Sequence, residues 1–312
     1  MFGWLKRKTR SARALGLDMY EDGCALVVLD QAPGGGVVVS GVRWLAFRDA
    51  ADRSSAIRQA VRELGAQGLP VVANLQHSAY SLVQVEAPEL SDEELREAMR
   101  WRVRDLIDFP IEQAVIDVFH LPASRRPGAP RLLYVVVAKA NEVDALGSTL
   151  RAADLEVTAI DVVEMAIRNL SMHLDKPARP RAYLHLQPGQ TVIEIADGAQ
   201  LYLSRRVQQE YDAEADPGLL RAQMENLALE VQRSLDYFES QYAIGAVDQL
   251  SVIVCNDTLF DAFSAVAKLF LTVPTTRFSF SALTVPEGTE MQTLGRGVTA
   301  VGAAMRGLAW VA

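Results

Sequence analysis

The sequence contains few cysteines and no excess of basic side chains, and each shortage excludes a class of protein. Its 312 residues include two cysteines, Cys24 and Cys255, which lie far apart with no histidine near either of them. This usage is typical of a reducing compartment and excludes a zinc site built on cysteines. The formal net charge is −8, with 39 acidic against 31 basic side chains. Because binding to the phosphates of nucleic acids needs a basic surface, we expect no nucleic-acid partner.

The sequence also lacks an uninterrupted apolar run of the roughly 20 residues that a membrane-spanning helix needs. Its most apolar windows are broken by charged side chains, among them Asp257, Lys268 and Arg306. The first 13 residues are rich in lysine and arginine but have neither the apolar stretch nor the cleavage site of a signal peptide. We therefore expect a cytoplasmic protein with a basic N-terminal tail, which either touches an anionic membrane surface or is solvated.

One order of elements occurs twice along the chain. Apolar runs, turn residues and helical periodicity predict three strands, a helix and a further strand in each half. A duplicated meander followed by a helix and a strand is the order of the actin-like, ribonuclease-H-like fold, so we expect an α/β protein of two lobes. The predicted segments are 14–18, 24–30, 37–47, 50–67 and 71–75 in the first half, and 182–186, 191–196, 201–207, 219–242 and 250–255 in the second.

The predicted domain organisation has three parts. A basic tail at 1–13 is followed by a first lobe at 14–180 and a second lobe at 181–312. Residues from about 81 to 130 are not required by the duplication and are interpreted as a subdomain inserted into the first lobe. That lobe is then completed by a strand at 133–138, a helix at 141–153 and a strand at 156–161.

The insert holds the most specific motif of the sequence. Ser91 and Glu94 have the spacing of a capping box at the start of a helix. The sequence Ile-Asp-Phe-Pro-Ile-Glu follows at 107–112, and Asp117 comes shortly after it. An acidic helix, this turn and the aspartate together resemble the PilM family of type IV pilus assembly proteins. Taken alone, the Phe-Pro pair could simply end a helix.

Further segments resemble the same family. Residues 230–238 resemble its Glu-Ile-x-Arg-Ser-Leu helix, and residues 301–307 resemble its C-terminal helix. Residues 226–229 and 237–241 favour the branch of the family that serves MSHA pili. Helical spacing of apolar side chains over 220–242 also predicts a core stripe, which explains those residues without a ligand. The resemblance implies a cytoplasmic scaffold, peripheral to the inner membrane, in the platform that assembles a type IV pilus.

Relatives with this fold hold ATP and Mg²⁺ between the lobes, on two hairpins that each carry an aspartate followed two residues later by a glycine. The resemblance places Asp18 at the first aspartate, but Tyr20 stands at its glycine. At the second hairpin His185 replaces the aspartate and Gln187 the glycine. A neutral histidine is a poor Mg²⁺ ligand and a tyrosine would crowd the phosphates, so we expect a degenerate site without ATP hydrolysis. The candidate nucleotide contacts that the resemblance implies are Asp18 and three positions facing adenosine in the family: Glu230, Arg233 and Gly302.

The resemblance also implies a partner, the short cytoplasmic tail of a PilN-like protein with one membrane span, docked between the first lobe and the insert. Such tails are usually basic, and the mostly acidic segment 86–97 would steer a basic tail toward the insert. The candidate partner contacts are Glu93, Glu94 and Trp101, the last as an aromatic anchor. Packing of Trp101 against another part of the insert is the alternative.

Two other functions stay open from the sequence. One is a working actin-like ATPase of the pilus machinery, which would cycle between open and closed lobes. The other is the cytoplasmic domain of a type II secretion component resembling GspL, which is expected to continue into a membrane helix. The pilus extension ATPase is a further candidate partner.

Overall fold

The computed structural model describes residues 11–32, 36–47, 52–187, 191–209 and 211–308, without the side chains of Asp92 and Glu93. Most of the predicted basic tail and the glycine-rich turn at 33–35 therefore lie outside the described residues.

Fourteen strands and eight α-helices are described in these ranges. The strands are β1 (Arg13–Met19), β2 (Gly23–Gln31), β3 (Val37–Ala46), β4 (Val71–Asn74), β5 (Tyr80–Glu86), β6 (Ala114–His120), β7 (Leu132–Lys139), β8 (Val157–Asp161), β9 (Arg181–His185), β10 (Thr191–Asp197), β11 (Gln200–Val207), β12 (Leu250–Ile253), β13 (Thr275–Arg277) and β14 (Leu283–Thr284). The helices are α1 (Arg53–Glu63), α2 (Asp92–Val103), α3 (Ala140–Ala152), α4 (Val163–Leu170), α5 (Pro217–Tyr242), α6 (Asp257–Phe270), α7 (Met291–Arg296) and α8 (Val298–Gly307).

The first sheet has six strands in the order β14-β3-β2-β1-β4-β8. Strands β1, β2 and β3 form an antiparallel meander, while β4 and β8 continue the sheet in parallel beside β1. Helices α1 and α3 pack on one face of this sheet, and α8 packs on the other. Because both faces are covered, the central strands are near-continuous apolar runs, such as residues 24–29.

The second sheet repeats this arrangement with five strands in the order β11-β10-β9-β12-β13. The predicted Asp197-Gly198 turn joins β10 to β11, and Gly198 has a φ of +55°, which glycine adopts without strain. Helix α5 is capped at its N-terminus by Asp216, whose carboxylate accepts hydrogen bonds from the backbone N–H groups of Gly218 and Leu219. Its apolar stripe covers the sheet as predicted, and the duplicated two-lobe order is confirmed.

Helices α4 and α8 cross between the two sheets, and each one contacts strands of the opposite half of the chain. Their backbones approach closely at Gly302, where an added Cβ would lie 2.2 Å from the carbonyl oxygen of Ala166. The Asn169 amide donates to the carbonyl of Gly302 at 2.9 Å. The predicted second lobe at 181–312 is corrected here, because β14 and α8 belong with the first sheet.

The insert is a three-stranded sheet in the order β5-β7-β6, covered on one face by α2. Strand β7 belongs to this sheet, so the prediction that residues 133–138 complete the first lobe is wrong, and the insert extends through β7. The capping box at the start of α2 is confirmed, because Ser91 and Glu94 each accept the backbone N–H of the other. One face of α2 is buried on the sheet through Leu95, Met99 and Val103.

The other face of the insert contacts the second lobe. The Tyr134 hydroxyl donates to the carbonyl of Ser204 at 3.0 Å and accepts the backbone N–H of Ser204 at 2.9 Å. The loop after β6 closes the end of α5, since its donors meet carbonyls that a helix end leaves without intrahelical partners. Those donors are Ser124 Oγ to Gln241, Arg125 N–H to Tyr242, and the Arg126 guanidinium to Ser240.

A buried charged network also joins the insert to both lobes. Arg206 of β11 donates to the carbonyls of His77 and Tyr80 at 3.0 and 2.8 Å, at the point where the insert begins. Its Nε lies 3.1 Å from the buried carboxylate of Glu164 in α4, which also accepts the Tyr80 hydroxyl at 2.6 Å. Such a network fixes the relative positions of the elements it joins, because breaking it would leave a buried charge without a partner.

Candidate functional site

Asp18 lies at the end of β1, where the two lobes meet, and its side chain is completely buried. The Thr299 hydroxyl, in the first turn of α8, donates to its carboxyl group. Burial raises the pKa of Asp18 from its ordinary value of 3.8 to about 7, although hydrogen bonds from Thr299, Tyr20 and Asn74 lower it in part. The group is therefore largely protonated below pH 7, whereas a Mg²⁺ site needs an ionised carboxylate.

Tyr20 follows Asp18 in the loop between β1 and β2 and lies across the mouth of the site. Its hydroxyl donates to the carbonyl of Arg296 at 3.1 Å and lies 3.1 Å from Thr299 Oγ1. Its ring lies 5.2 Å from that of Trp44, measured between centroids. The side chain thus fills the space between the first hairpin and the start of α8.

Arg296 closes the same region from outside. Its guanidinium lies 3.5 Å from the centroid of the Trp44 ring and pairs with Asp22 at 2.9 Å. The ion pair is exposed and contributes little by itself, whereas the stack on the indole contributes about 0.5–1 kcal/mol or more. Arg296 is held over the first hairpin by these two contacts.

The second hairpin reaches the same segment from the other lobe. The Gln187 amide lies 3.5 Å from the carbonyls of both Gly295 and Arg296. Residues 295–297, the end of α7 and the glycine before α8, are called the cleft turn below. The cleft turn therefore accepts hydrogen bonds from Tyr20 of the first lobe and from Gln187 of the second. His185, the last residue of β9 and two residues before Gln187, is wholly buried.

The other sequence-predicted nucleotide contacts have no described bond to Asp18. Glu230 forms ion pairs with Arg233 on the same helix and, at 3.5 Å, with Arg205 on β11. Gly302 lies in the crossing of α4 and α8, where close helix packing accounts for the glycine. Of the four predicted residues, only Asp18 is linked by a described hydrogen bond to Tyr20, whose hydroxyl binds the cleft turn.

The cleft turn itself was not predicted from the sequence. Two of its residues are glycines in tight places: a Cβ on Gly295 would lie 3.3 Å from the Cβ of Cys255, and one on Gly297 would lie 3.3 Å from the Cβ of Ala25. The Gly-Arg-Gly sequence directly before the C-terminal helix was the available signal. Thr299 and Asn74, whose amide donates to the Thr299 carbonyl at 3.1 Å, carried no comparable signal.

The predicted partner contacts lie on the outer face of α2. Trp101 is 65% exposed, so it does not pack against another part of the insert. Together with Glu94, Glu97 and Asp105 it forms an exposed stripe at intervals of three and four residues, called the α2 ridge below. This stripe lies opposite the face of α2 that packs on the insert sheet. The side chain of Glu93 lies outside the described part of the structure.

Two further observations concern ligands and membranes. Within the described ranges, no group of three or more histidine, cysteine, aspartate or glutamate side chains is arranged to hold a metal ion. No helix in the same ranges combines the length and the apolar character that crossing a bilayer requires.

Solved structures with a similar shape define the fold. A structure described as the PilM-PilN type IV pilus biogenesis complex matches with a TM-score of 0.77 and 21% identity, covering 96% of this chain and 99% of that one. The cytoplasmic domain of EpsL, an inner-membrane component of the type II secretion system of Vibrio cholerae, matches with a TM-score of 0.50 and 16% identity over 91% and 93% of the two chains. A Bacteroides thetaiotaomicron protein with an actin-like ATPase fold gives a TM-score of 0.49 and 11% identity over 95% and 99%. The first of these matches, together with the duplicated sheet topology, confirms the predicted actin-like fold.

Sequence comparison gives a narrower similarity. Residues 39–182 match the family model of the type IV pilus assembly protein PilM. That range runs from β3 through the whole insert to the start of β9, and it includes the turn at 107–112 on which the sequence resemblance rested. Among curated proteins, no sequence match was found. The chain is thus PilM-like in sequence over this range and PilM-like in fold.

Proposed function

We propose that this chain is a scaffold of the inner-membrane platform that assembles a type IV pilus, and that it binds its partners without hydrolysing ATP. The match of residues 39–182 to the PilM family and the similar shape of a PilM-PilN complex support a role in pilus assembly. Residues 226–229 and 237–241 support an MSHA-type pilus and a protein similar to MshI. In this role the chain lies in the cytoplasm, peripheral to the inner membrane.

The proposed partner is the cytoplasmic tail of a PilN-like protein with one membrane span, MshJ-like in an MSHA system. The single observation that carries this proposal is the exposure of Trp101 in the α2 ridge, one helical turn from Glu97 and two turns from Glu94. A large exposed aromatic on the same helix face as acidic groups suits a basic segment, because the ring attracts a cation and the carboxylates attract it over a longer range. The pilus extension ATPase is a second candidate partner, for which no particular surface is assigned.

The proposal that ATP is not hydrolysed rests on the cleft. Mg²⁺ with bound phosphates needs an ionised carboxylate and free backbone N–H groups, and neither is offered by a buried Asp18 covered by Tyr20. The residues present do not fit Mg²⁺-ATP. The alternative of a working actin-like ATPase would require Tyr20, Gln187 and the cleft turn to move apart before a nucleotide could enter.

A type II secretion role, in the manner of the EpsL cytoplasmic domain, is the second candidate. The shape similarity to EpsL favours it, but the PilM family match covers the insert, which carries the proposed partner surface. The two candidates differ in the tail that they would bind, and one binding assay therefore separates them.

The test is fluorescence anisotropy with a labelled synthetic peptide of the tail of the PilN-like protein from the same genome. We expect Trp101→Ala to weaken binding by about 1–3 kcal/mol, and Glu97→Lys to slow association and reduce its salt dependence. Glu97 is a better choice than Glu94, because changing Glu94 also removes the capping box. Leu269→Ala, at a second-lobe side chain with similar exposure, is the matched control and should bind as the unchanged protein does.

Unchanged binding in folded Trp101→Ala and Glu97→Lys would place the tail on another surface. Tighter binding of the tail of an EpsL partner than of the PilN-like tail would favour the type II secretion role.

A further inference from the structure

Strand β5 is an outer strand of the insert sheet, and one of its edges has no neighbouring strand among the described residues. The direction of its backbone groups follows from two hydrogen bonds. Just beyond the strand, the N–H of Ala87 donates to the carbonyl of Arg131, on the side of β7. Because backbone groups alternate in direction along a strand, Gln84 and Glu86 direct their N–H and C=O groups away from β7.

A second contact confirms this direction. Tyr80 precedes Gln84 and Glu86 by an even number of residues, so its backbone groups point to the same side of the strand as theirs. Its carbonyl accepts a hydrogen bond from Arg206, on the side away from β7. The start of the outer edge is therefore closed by the second lobe. Farther along, no backbone hydrogen bond described for the protein reaches the outward groups of Gln84 or Glu86.

A cavity of about 550 Å³ borders this open part of the edge. Its floor is formed by Tyr237 and Gln241 of α5, and its wall by the loop at 126–130, which contains two prolines. Val85 also lines it, although the Val85 side chain belongs to the core under α2, so the cavity reaches the backbone of β5. The Gln84 amide donates to the Tyr237 hydroxyl at 3.1 Å and fixes the floor against the strand.

The wall of the cavity is fixed in place. The Arg126 guanidinium is bound to the carbonyl of Ser240 at 2.8 Å, and Ser124 is bound to Gln241, so the loop is fastened to the end of α5. The Arg126 guanidinium keeps its charge but is held on the α5 side of the cavity. The carboxylate of Glu86 is exposed on the β5 side, with no ion pair described for it, and a cationic side chain complements it there.

We propose that the β5 edge, with this cavity beside it, binds a short extended segment of a partner protein that carries an arginine. The segment adds a strand to the insert sheet through the backbone groups of Gln84 and Glu86. Its arginine enters the cavity, stacks on Tyr237 and pairs with Glu86. In this mode the main chain provides affinity and the pocket for one side chain provides specificity. This site is separate from the α2 ridge and does not depend on the proposed pilus function.

The test uses the acetylated and amidated pentapeptide Thr-Val-Arg-Val-Thr as the probe, with binding followed by amide chemical shifts of the full chain in NMR spectra. We expect saturable shifts at Gln84 and Glu86 below about 5 mM peptide, with none at Trp101. Two versions of the peptide, N-methylated on alternate residues, should differ at least tenfold in affinity, because only one set of amides faces β5. Replacing the arginine of the probe by glutamate should weaken binding at least tenfold.

The matched protein variants are Gln84→Pro and Gln84→Ala. Both lose the contact with Tyr237, but only Gln84→Pro loses the outward N–H, and proline is tolerated on an edge strand when that group faces solvent. We expect Gln84→Pro to weaken binding at least tenfold and Gln84→Ala less than threefold. The absence of saturable shifts up to 5 mM, or equal effects of the two N-methylated peptides, would overturn the proposal. The peptide comparison keeps the test decisive even if Gln84→Pro does not fold.

Discussion

Replacing Asp18 by asparagine tests whether the carboxyl group in the cleft is neutral in the folded protein. The substituted amide keeps the size of the side chain and an oxygen that can accept the Thr299 hydroxyl, but it cannot ionise. The pKa of Asp18 is about 7 in the folded protein and about 3.8 when the chain is unfolded, because burial penalises the charged form. Between these values the folded state holds a proton that the unfolded state has lost.

The sign of the effect follows from that difference. As pH rises from about 4 to about 7, the unfolded chain releases the proton first, so the free energy of unfolding of the unchanged protein falls by about 1.4 kcal/mol per pH unit. Above pH 7 the loss is complete and constant. Asp18→Asn has no such loss. Relative to its effect at pH 5, the substitution should therefore stabilise the protein at pH 8 by about 3 kcal/mol, an order-of-magnitude value.

Urea unfolding at pH 5 and pH 8 measures this difference from transition midpoints and slopes. Glu194, whose buried side chain also has a raised pKa, contributes equally to both proteins and cancels in the comparison. Asp236→Asn, at an exposed position on α5, is the control and should show the same difference from the unchanged protein at both pH values. A stability difference for Asp18→Asn that does not grow between pH 5 and pH 8 would refute the neutral carboxyl group.

Two further predictions follow from the crossing helices and the cleft. Gly302→Ala should lower the free energy of unfolding by about 3 kcal/mol or more in urea titrations, because the new Cβ would meet the Ala166 carbonyl oxygen at 2.2 Å. Gly36→Ala, where the nearest atom is 3.8 Å away, is the control, and equal losses in both variants would contradict the packing argument. A fluorescent ATP analogue with Mg²⁺ should show no saturable binding below about 100 μM, since Tyr20, Gln187 and a neutral Asp18 face the cleft. A micromolar dissociation constant would instead favour a working nucleotide site.

Much of the fold could be predicted because its signals are local. The strands of both meanders, the Asp197-Gly198 turn and the stripe of α5 each depend on residues that are close together in the sequence. The placement of β7 could not be predicted in this way. An apolar strand of eight residues fits either the first lobe or the insert, and its partners β5 and β6 had not been recognised as strands. The same applies to α8, whose apolar sequence does not say which sheet it covers.

The candidate site was predictable only in part, for a related reason. The departures from the family pattern at Tyr20, His185 and Gln187 could be recognised because each hairpin has a fixed local pattern. The cleft turn, which accepts hydrogen bonds from Tyr20 and Gln187, lies about 280 residues from Tyr20 and about 110 from Gln187 in the sequence. No local pattern links an aspartate in β1 to Thr299 or a carbonyl in the cleft turn to both hairpins. Such a contact follows only from the crossing of α4 and α8, which brings the start of α8 to the end of β1.

The contacts across the cleft bear directly on the choice between a scaffold and a cycling ATPase. Gln187 reaches the cleft turn from the second lobe, and Arg206 with the loop at 124–126 ties the insert to the second lobe. Each direct hydrogen bond contributes about 0.5–1.5 kcal/mol, so opening the lobes would cost several kcal/mol, and a ligand would have to repay that through tighter binding to the open state. A partner bound at the insert would then keep a fixed position relative to both lobes through many binding events. This rigidity suits a protein that positions other components, and it opposes a mechanism in which the lobes open at every turnover.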